Sequence, residues 1–219
     1  MEKKNKRLFF AGVGLLAAFM LWTVLVCFVD VRAIGPRESS VGFATLNGYV
    51  HNLTGVNMSL YVITDWLGLV PIGIAFGFAV LGLVQWIKRK SLLKVDRSIL
   101  TLGGFYIVVM AVYILFEIVV INYRPTLIDG YLEASYPSST TMLVMCVMPT
   151  AMMQFSARIK NDLFRRCVLF TTTVFIAFTV IGRLVSGVHW ITDIIGGVLV
   201  STAIVLMYYA ISDIATKTR

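Results

Sequence analysis

Charge is scarce in this chain. Asp, Glu, Lys and Arg make up 14% of its 219 residues, where a soluble domain carries about 25%, and the shortfall excludes an ordinary water-soluble fold. Cysteine is scarce as well. Cys27, Cys146 and Cys167 are odd in number and each lies inside an apolar run, which argues against a disulfide framework or a metal site and for small apolar packing residues. Convincing internal repeats and low-complexity stretches are absent, and so is any acidic cluster. What is abundant is apolar: 58% of the residues are hydrophobic and the mean hydropathy is +0.87. The length suits one compact bundle, a single unit over residues 1–219, rather than two domains.

A helix needs roughly 20 apolar residues to cross a bilayer. Six segments meet this, at about Leu8–Val29, Leu60–Ile87, Ile99–Ile121, Thr140–Phe155, Cys167–Ile181 and Ile191–Ile211. They predict an all-α, six-transmembrane-helix bundle, the fourth and fifth spans being short unless they extend into their flanks. The first follows Lys3, Lys4, Lys6 and Arg7. Its apolar run is too long for a signal core and no convincing small-residue cleavage site follows, so it reads as a retained span.

Fifteen of the nineteen Lys and Arg fall in four places: the tail before the first span, residues 88–97, residues 158–166, and the C-terminal Lys217 and Arg219. Only Arg32, Arg37, Arg124 and Arg183 remain for the other side. Positive-inside bias then puts both termini in the cytoplasm. Topology and lipid headgroups thus account for the formal charge of +8, and nucleic acid is not an expected partner. The same orientation brings Arg124, Ser138–Thr140, Arg183 and His189–Asp193 to the outer face. Polar groups at that depth are costly unless they meet a partner, a ligand or a water-filled cavity.

The loop from Asp30 to Asn57 is long, and its part "VGFATLNGYVHNLTG" suggests a short helix on the interface. His51 there reads as an exposed loop or interface residue. Asn52 and Asn57 begin sequons, common by chance. Gly73-x3-Gly77 would permit close helix packing. Tyr123, Tyr136 and Trp190 fit an interfacial aromatic belt. Asp65, near the outer start of the second span, joins a cavity there or else caps or anchors its helix.

"GRLVSGVHWITDIIGG" (182–197) holds the densest polar constellation. His189 and Asp193 are four apart and would share a helical face. The carboxylate can fix the imidazole tautomer and raise the basicity of its other nitrogen, which makes a competent nucleophile or base. Arg183 lies six residues earlier, across a turn carrying Gly187. Pro125 would stop a helix at Arg124 and present its guanidinium. Two such planar forks can cradle a tetrahedral phosphoryl group. "YPSSTTML" (136–143) supplies a helix start whose free N–H groups are ready for an anion.

Together these segments resemble the type 2 phosphatidic acid phosphatase superfamily, whose membrane members have six spans and an outward-facing site. The family's motifs are Lys, six residues, Arg-Pro; then Pro-Ser-(Gly/Ser)-His; then Ser-Arg, five residues, His, three residues, Asp. Here "EIVVINYRP" (117–125), "PSST" (137–140) and "GRLVSGVHWITD" (182–193) stand in the right order, with a motif core over about 99–211 and the third the most specific. The resemblance implies a metal-independent hydrolysis with no cofactor. His189 would attack phosphorus and form a phosphohistidine, with Asp193 orienting it. Arg124 and Arg183, with Ser138, Ser139 and nearby backbone amides, would hold the phosphate. The substrate would be a phosphorylated membrane lipid, a phosphomonoester or diphosphate of the phosphatidate, phosphatidylglycerol phosphate or polyprenyl diphosphate class. The setting would be a bacterial plasma membrane, with the site extracytoplasmic.

Three positions depart from the pattern. Gly182 replaces the serine, at the cost of one hydrogen bond. Thr140 replaces the histidine that protonates the leaving group, a function worth about 10²–10⁴-fold. Glu117 replaces the lysine and reverses its charge. Seven residues before Arg124, it would lie two helical turns away on the same face. It would then be either an ion-pair partner or, if desolvated and neutral, the missing proton donor. A diphosphate ester would need that donor less. The competing reading is a catalytically weak or inactive relative that binds, transports or regulates phosphorylated lipid. A transporter or channel finds little support, with no inverted repeat, and no particular oligomeric state is indicated.

Overall fold

A computed structural model describes residues 3–217, with side chains through Ser212. Of the inner-side charges counted above, the Lys217 side chain and Arg219 lie outside the described residues. The six apolar runs fold as α1 (Lys3–Phe28), α3 (Met58–Leu67) continued by α4 (Leu69–Arg89), α5 (Arg97–Ile118), α6 (Ser139–Arg158), α7 (Asp162–Val185) and α8 (Ile191–Lys217). Each of these spans is long and apolar enough to cross a membrane. The chain is an all-α integral membrane protein. The short fourth and fifth runs do extend into their flanks, α7 starting on Asn161, whose side chain accepts the Phe164 amide.

The helices are not equivalent. The apolar stretches of α6 and α8 are 56% buried within the protein, those of the other spans only 17–22%. A small-residue run makes this inner pair possible. A Cβ at Gly196 would meet the Tyr136 ring at 2.7 Å, and one at Gly197 would meet Ser138 O and Thr141 at 3.2 Å. Around the pair, Phe19, Leu102, Phe105, Met142, Val200 and Tyr208 form the core.

The loop 30–57 does contain a helix, α2 (Ala44–Thr54), and it is anchored rather than loose. The buried Asn47 side chain donates to Gly42 O (2.7 Å) and Thr192 Oγ1 (3.0 Å), tying α2 to the start of α8. Phe43, just before it, stacks on Trp22 of α1.

Several expectations change. Trp190 and Tyr136 are buried, 3% and 1% exposed, not members of an interfacial belt. Trp190 Nε1 donates to Tyr123 O (2.7 Å) and Tyr136 OH lies 2.7 Å from Thr23 Oγ1. Both rings had a polar tip that protein groups, rather than headgroups, satisfy. His51 is half-buried against the Trp190 ring, 5.5 Å between centroids. Gly73 and Gly77 would meet nothing if given a Cβ, so they mark no close helix crossing. Of the cysteines only Cys146 is buried, and all three are free.

Candidate active site

The third span ends sooner than its hydropathy suggests. α5 stops at Ile118, where the run Ile118-Val119-Val120-Ile121 stacks four β-branched side chains that lose rotamer freedom in a helix. Arg124 therefore does not end a helix. It sits in an irregular segment, with Tyr123 bridged to Ala134 and its own amide donating to Glu133 O (3.0 Å). Glu117 consequently shares no helical face with Arg124. It is exposed on the last turn of α5, beside a narrow cleft with Tyr113, Ser135, Pro137 and Ser139.

Arg183 is in the last turn of α7 and fully buried. The chain then turns through Gly187, at φ +68°, where a Cβ would stand 1.7 Å from Gly55 O. No side chain fits there, and the left-handed backbone itself favours glycine. The turn delivers His189 just ahead of α8 rather than on it, so the imidazole and Asp193 do not pair as helical neighbours. Asp193 acts instead as the carboxylate of a capping arrangement. Its Oδ2 accepts the amide of Trp190 at 2.9 Å, as an acidic side chain in a first helical turn does for the residue that caps it. His189 Nδ1 lies 3.6 Å from the same oxygen, facing it without a formed hydrogen bond. The other oxygen, Oδ1, has Asn122 Nδ2 at 3.5 Å.

The opposite edge of the imidazole decides the tautomer. His189 Nε2 is approached by Arg183 Nη2 at 3.0 Å and Arg124 Nη1 at 3.3 Å. Guanidinium groups only donate, so Nε2 carries the lone pair and Nδ1 the proton. Burial pushes the imidazole well below its ordinary pKa, and the charges of Arg124 and Arg183 push the same way, against the Ser135 carbonyl. The resting ring is neutral, with its lone pair aimed between two cations. A neutral imidazole with a lowered pKa keeps its lone pair as pH falls, until the pH crosses that pKa. An activity that uses this lone pair is therefore expected to have the acid limb of its kcat/KM, which reports the free protein, well below the ordinary histidine pKa of 6.5; a pH–rate profile losing activity at or above 6.5 would contradict it.

Each arginine has a carboxylate beyond the histidine. Arg124 Nε is 3.0 Å from Glu133 Oε2, off hydrogen-bond alignment, and Arg183 Nη1 is 3.4 Å from Asp65 Oδ1. The Tyr61 ring lies under both guanidinium carbons, at 5.9 Å and 4.9 Å. Tyr61 and Glu133 carry no motif in the sequence. The loop Tyr123–Ala134 bridge and the fold of α3 onto α7 bring them in, and neither is legible from spacing.

The helix start at Ser138 behaves only partly as expected. Its amide is taken by Asp193 O at 3.0 Å, so it is not available to an anion, while its buried Oγ has no protein partner. Ser139 and Thr140 line a cavity of about 400 Å³ with Asp65, Gly68 and Tyr113, whose other walls are Leu69, Ile72, Val109, Met110, Met142 and Leu143. Most of its walls are apolar. Among the described residues no His, Cys, Asp and Glu side chains cluster in a way that could hold a metal ion.

Comparison with curated proteins found no match. Among solved structures, the chain resembles one described as the first transmembrane PAP2 type phosphatidylglycerolphosphate phosphatase from Bacillus subtilis, with a TM-score of 0.65 and 16% identity over 95% of this chain and 98% of that one. At that identity the likeness speaks to the fold. The PAP2 superfamily model matches residues 119–217, the stretch that carries Arg124, Ser138, Arg183, His189 and Asp193. That stretch is thus similar to the PAP2 superfamily, and the six-span fold is similar to that of the PAP2 type structure.

Proposed function

We propose that this protein hydrolyses a phosphorylated membrane lipid, a phosphomonoester or diphosphate, through a phosphohistidine on His189 at the non-cytoplasmic face of the membrane. One observation carries the reading: the His189 lone pair meets two arginine forks at 3.0 and 3.3 Å. A phosphoryl group entering between them would have its oxygens held by Arg124 and Arg183 and its phosphorus opposite Nε2. Donors fixed where negative charge develops are the largest single contribution in many such reactions. Asp193 faces the Nδ1 proton and steadies the imidazolium character that grows as Nε2 bonds to phosphorus. The unpartnered Ser138 hydroxyl, with Ser139 on the cavity wall, would add donors. The apolar walls would take the lipid chain. Water then releases phosphate from His189. The solved relative's description as a phosphatidylglycerolphosphate phosphatase makes that lipid, beside phosphatidate and polyprenyl diphosphates, the first to test. The site's outward orientation rests on the charge distribution of the loops.

The test is phosphate release from a panel of these lipids by the purified protein in detergent or vesicles, with His189→Ala alongside. Turnover abolished by that change supports the enzyme; binding without turnover would instead support a lipid-binding relative. Within the panel, Glu117→Gln is expected to stay within about threefold of the parent, because the side chain is exposed and off the arginine face; surface substitutions away from such features act weakly. A hundredfold loss would return Glu117 to the chemistry as its acid.

A further inference from the structure

The departure at Thr140 leaves the leaving group without a proton donor, and the fold offers a replacement from a different helix. We propose that Asp65 is the proton shuttle of the reaction, protonating the departing lipid oxygen and then deprotonating the attacking water. This rests on the phosphohistidine reading above.

Three observations converge on Asp65. Its carboxylate is 3.4 Å from Arg183 Nη1 while Nη2 of the same fork is 3.0 Å from His189 Nε2, so one guanidinium spans nucleophile and carboxyl. Asp65 and Thr140 line the same cavity. The end of α3 that carries Asp65 comes close to Thr140: a Cβ built on Gly68, three residues after Asp65, would lie 3.4 Å from Thr140 Cγ2. Finally, the departure at Gly182 explains how α3 comes so close. A Cβ at Gly182 already meets Thr64 Cγ2 at 2.7 Å, and a serine hydroxyl would add to that conflict. The missing serine is the space into which fully buried Thr64 packs, and that seating brings Tyr61 and Asp65, on either side of Thr64, onto Arg183. Two departures from the family pattern, at 140 and 182, thus accompany one arrangement.

Other titratable groups are engaged elsewhere. Glu133 pairs with the Nε side of Arg124, Glu117 lies in an adjoining cleft across the shared walls of Tyr113 and Ser139, and His51, besides His189 the chain's other histidine, lies against the Trp190 ring. Tyr113 is the other ionisable group on the cavity wall, and a phenol gives up its proton poorly near neutrality.

The proton arrives with the substrate. A phosphomonoester has its second ionisation near pH 6, so a share of it carries a P–OH, and the Asp65 carboxylate relays that proton as the bond to the leaving oxygen breaks. His189 Nε2 bonds to phosphorus as the bond from phosphorus to the lipid oxygen breaks, and the relayed proton goes to that oxygen to give the free alcohol. In the second half, water bonds to phosphorus and loses one proton to Asp65. The P–N bond breaks and its electron pair returns to Nε2. The departing phosphate takes that proton from Asp65 and leaves as its monoanion, and the site is as it began.

A proton donor matters in proportion to how poor the leaving group is, which a merely structural partner of Arg183 does not. The experiment compares kcat/KM of the full-length protein and its Asp65→Asn variant on dioctanoyl phosphatidate, which leaves as an alkoxide, and on p-nitrophenyl phosphate, which needs no proton. Loss of about a hundredfold or more on phosphatidate, with p-nitrophenyl phosphate within about fivefold, is expected. Equal loss on both would make Asp65 a positioning residue for Arg183 and overturn the proposal, as would no loss on either. Retained p-nitrophenyl phosphate turnover itself shows that the variant is folded. If the variant does not fold, a series of aryl phosphates on the parent protein decides: kcat/KM nearly independent of leaving-group basicity is expected, and a steep dependence overturns the donor. Parent protein inactive on every substrate would sink the phosphatase reading itself, a result distinct from the others.

Discussion

His189→Ala is expected to remove phosphate release altogether, a loss on the order of 10⁶-fold, the scale seen when covalent hydrolases lose their nucleophile. The expectation follows from the directions of the hydrogen bonds. Both groups at Nε2 are obligate donors, which leaves that nitrogen as an unprotonated base pointing at the place where an anion would be held. The neighbouring carboxylates are otherwise engaged: Asp65 and Glu133 pair with the arginines, and Asp193 accepts the Trp190 amide. Two measurements check it. Phosphate release from a lipid phosphate should vanish, and acid-labile, alkali-stable label from a radioactive phosphoryl donor should appear on the parent chain and not on the variant. Label persisting on His189→Ala would move the nucleophile elsewhere.

Arg183→Lys is expected to be the next most damaging change, about 10²–10³-fold in kcat/KM, the usual cost of one fixed donor to developing charge. The substitution keeps the positive charge, so the size of the loss measures geometry. Arg183 is fully buried, reaches His189 with one terminal nitrogen and Asp65 with the other, and lies 4.9 Å over Tyr61. A lysine ammonium is a single point that cannot span both partners or lie flat on the ring. Its Nε also has no protein partner, a further donor lost in the exchange. The same kcat/KM assay on phosphatidate checks it, and activity within tenfold of the parent would mean that charge alone suffices.

Much of this was legible in the sequence, for identifiable reasons. The six spans follow from hydropathy, because a helix that must satisfy its own backbone in lipid leaves few alternatives. Arg183, His189 and Asp193 could be read together because eleven residues of chain hold them. The helix ending at Ile118 was obscured by a run that is as apolar as a span but β-branched. Trp190 and Tyr136 looked like belt residues because composition places aromatic rings near an interface without saying on which side they turn. Asp65 and Tyr61 on α3, and Glu133 before α6, are distant from the motif in sequence. Their place at the arginines depends on a packing contact at Gly182 and on a bridge across an irregular loop, neither of which has a periodicity to read.

The seat of α8 has a mechanical corollary. The oxygen that receives the Trp190 amide also faces the protonated edge of the imidazole, so one carboxylate holds the helix end and the orientation of the imidazole. Fraying that first turn by even one residue would free the ring to swing. Conversely, anything that clamps the turn, including Asn47 of α2 through Thr192, stiffens that orientation from a separate helix.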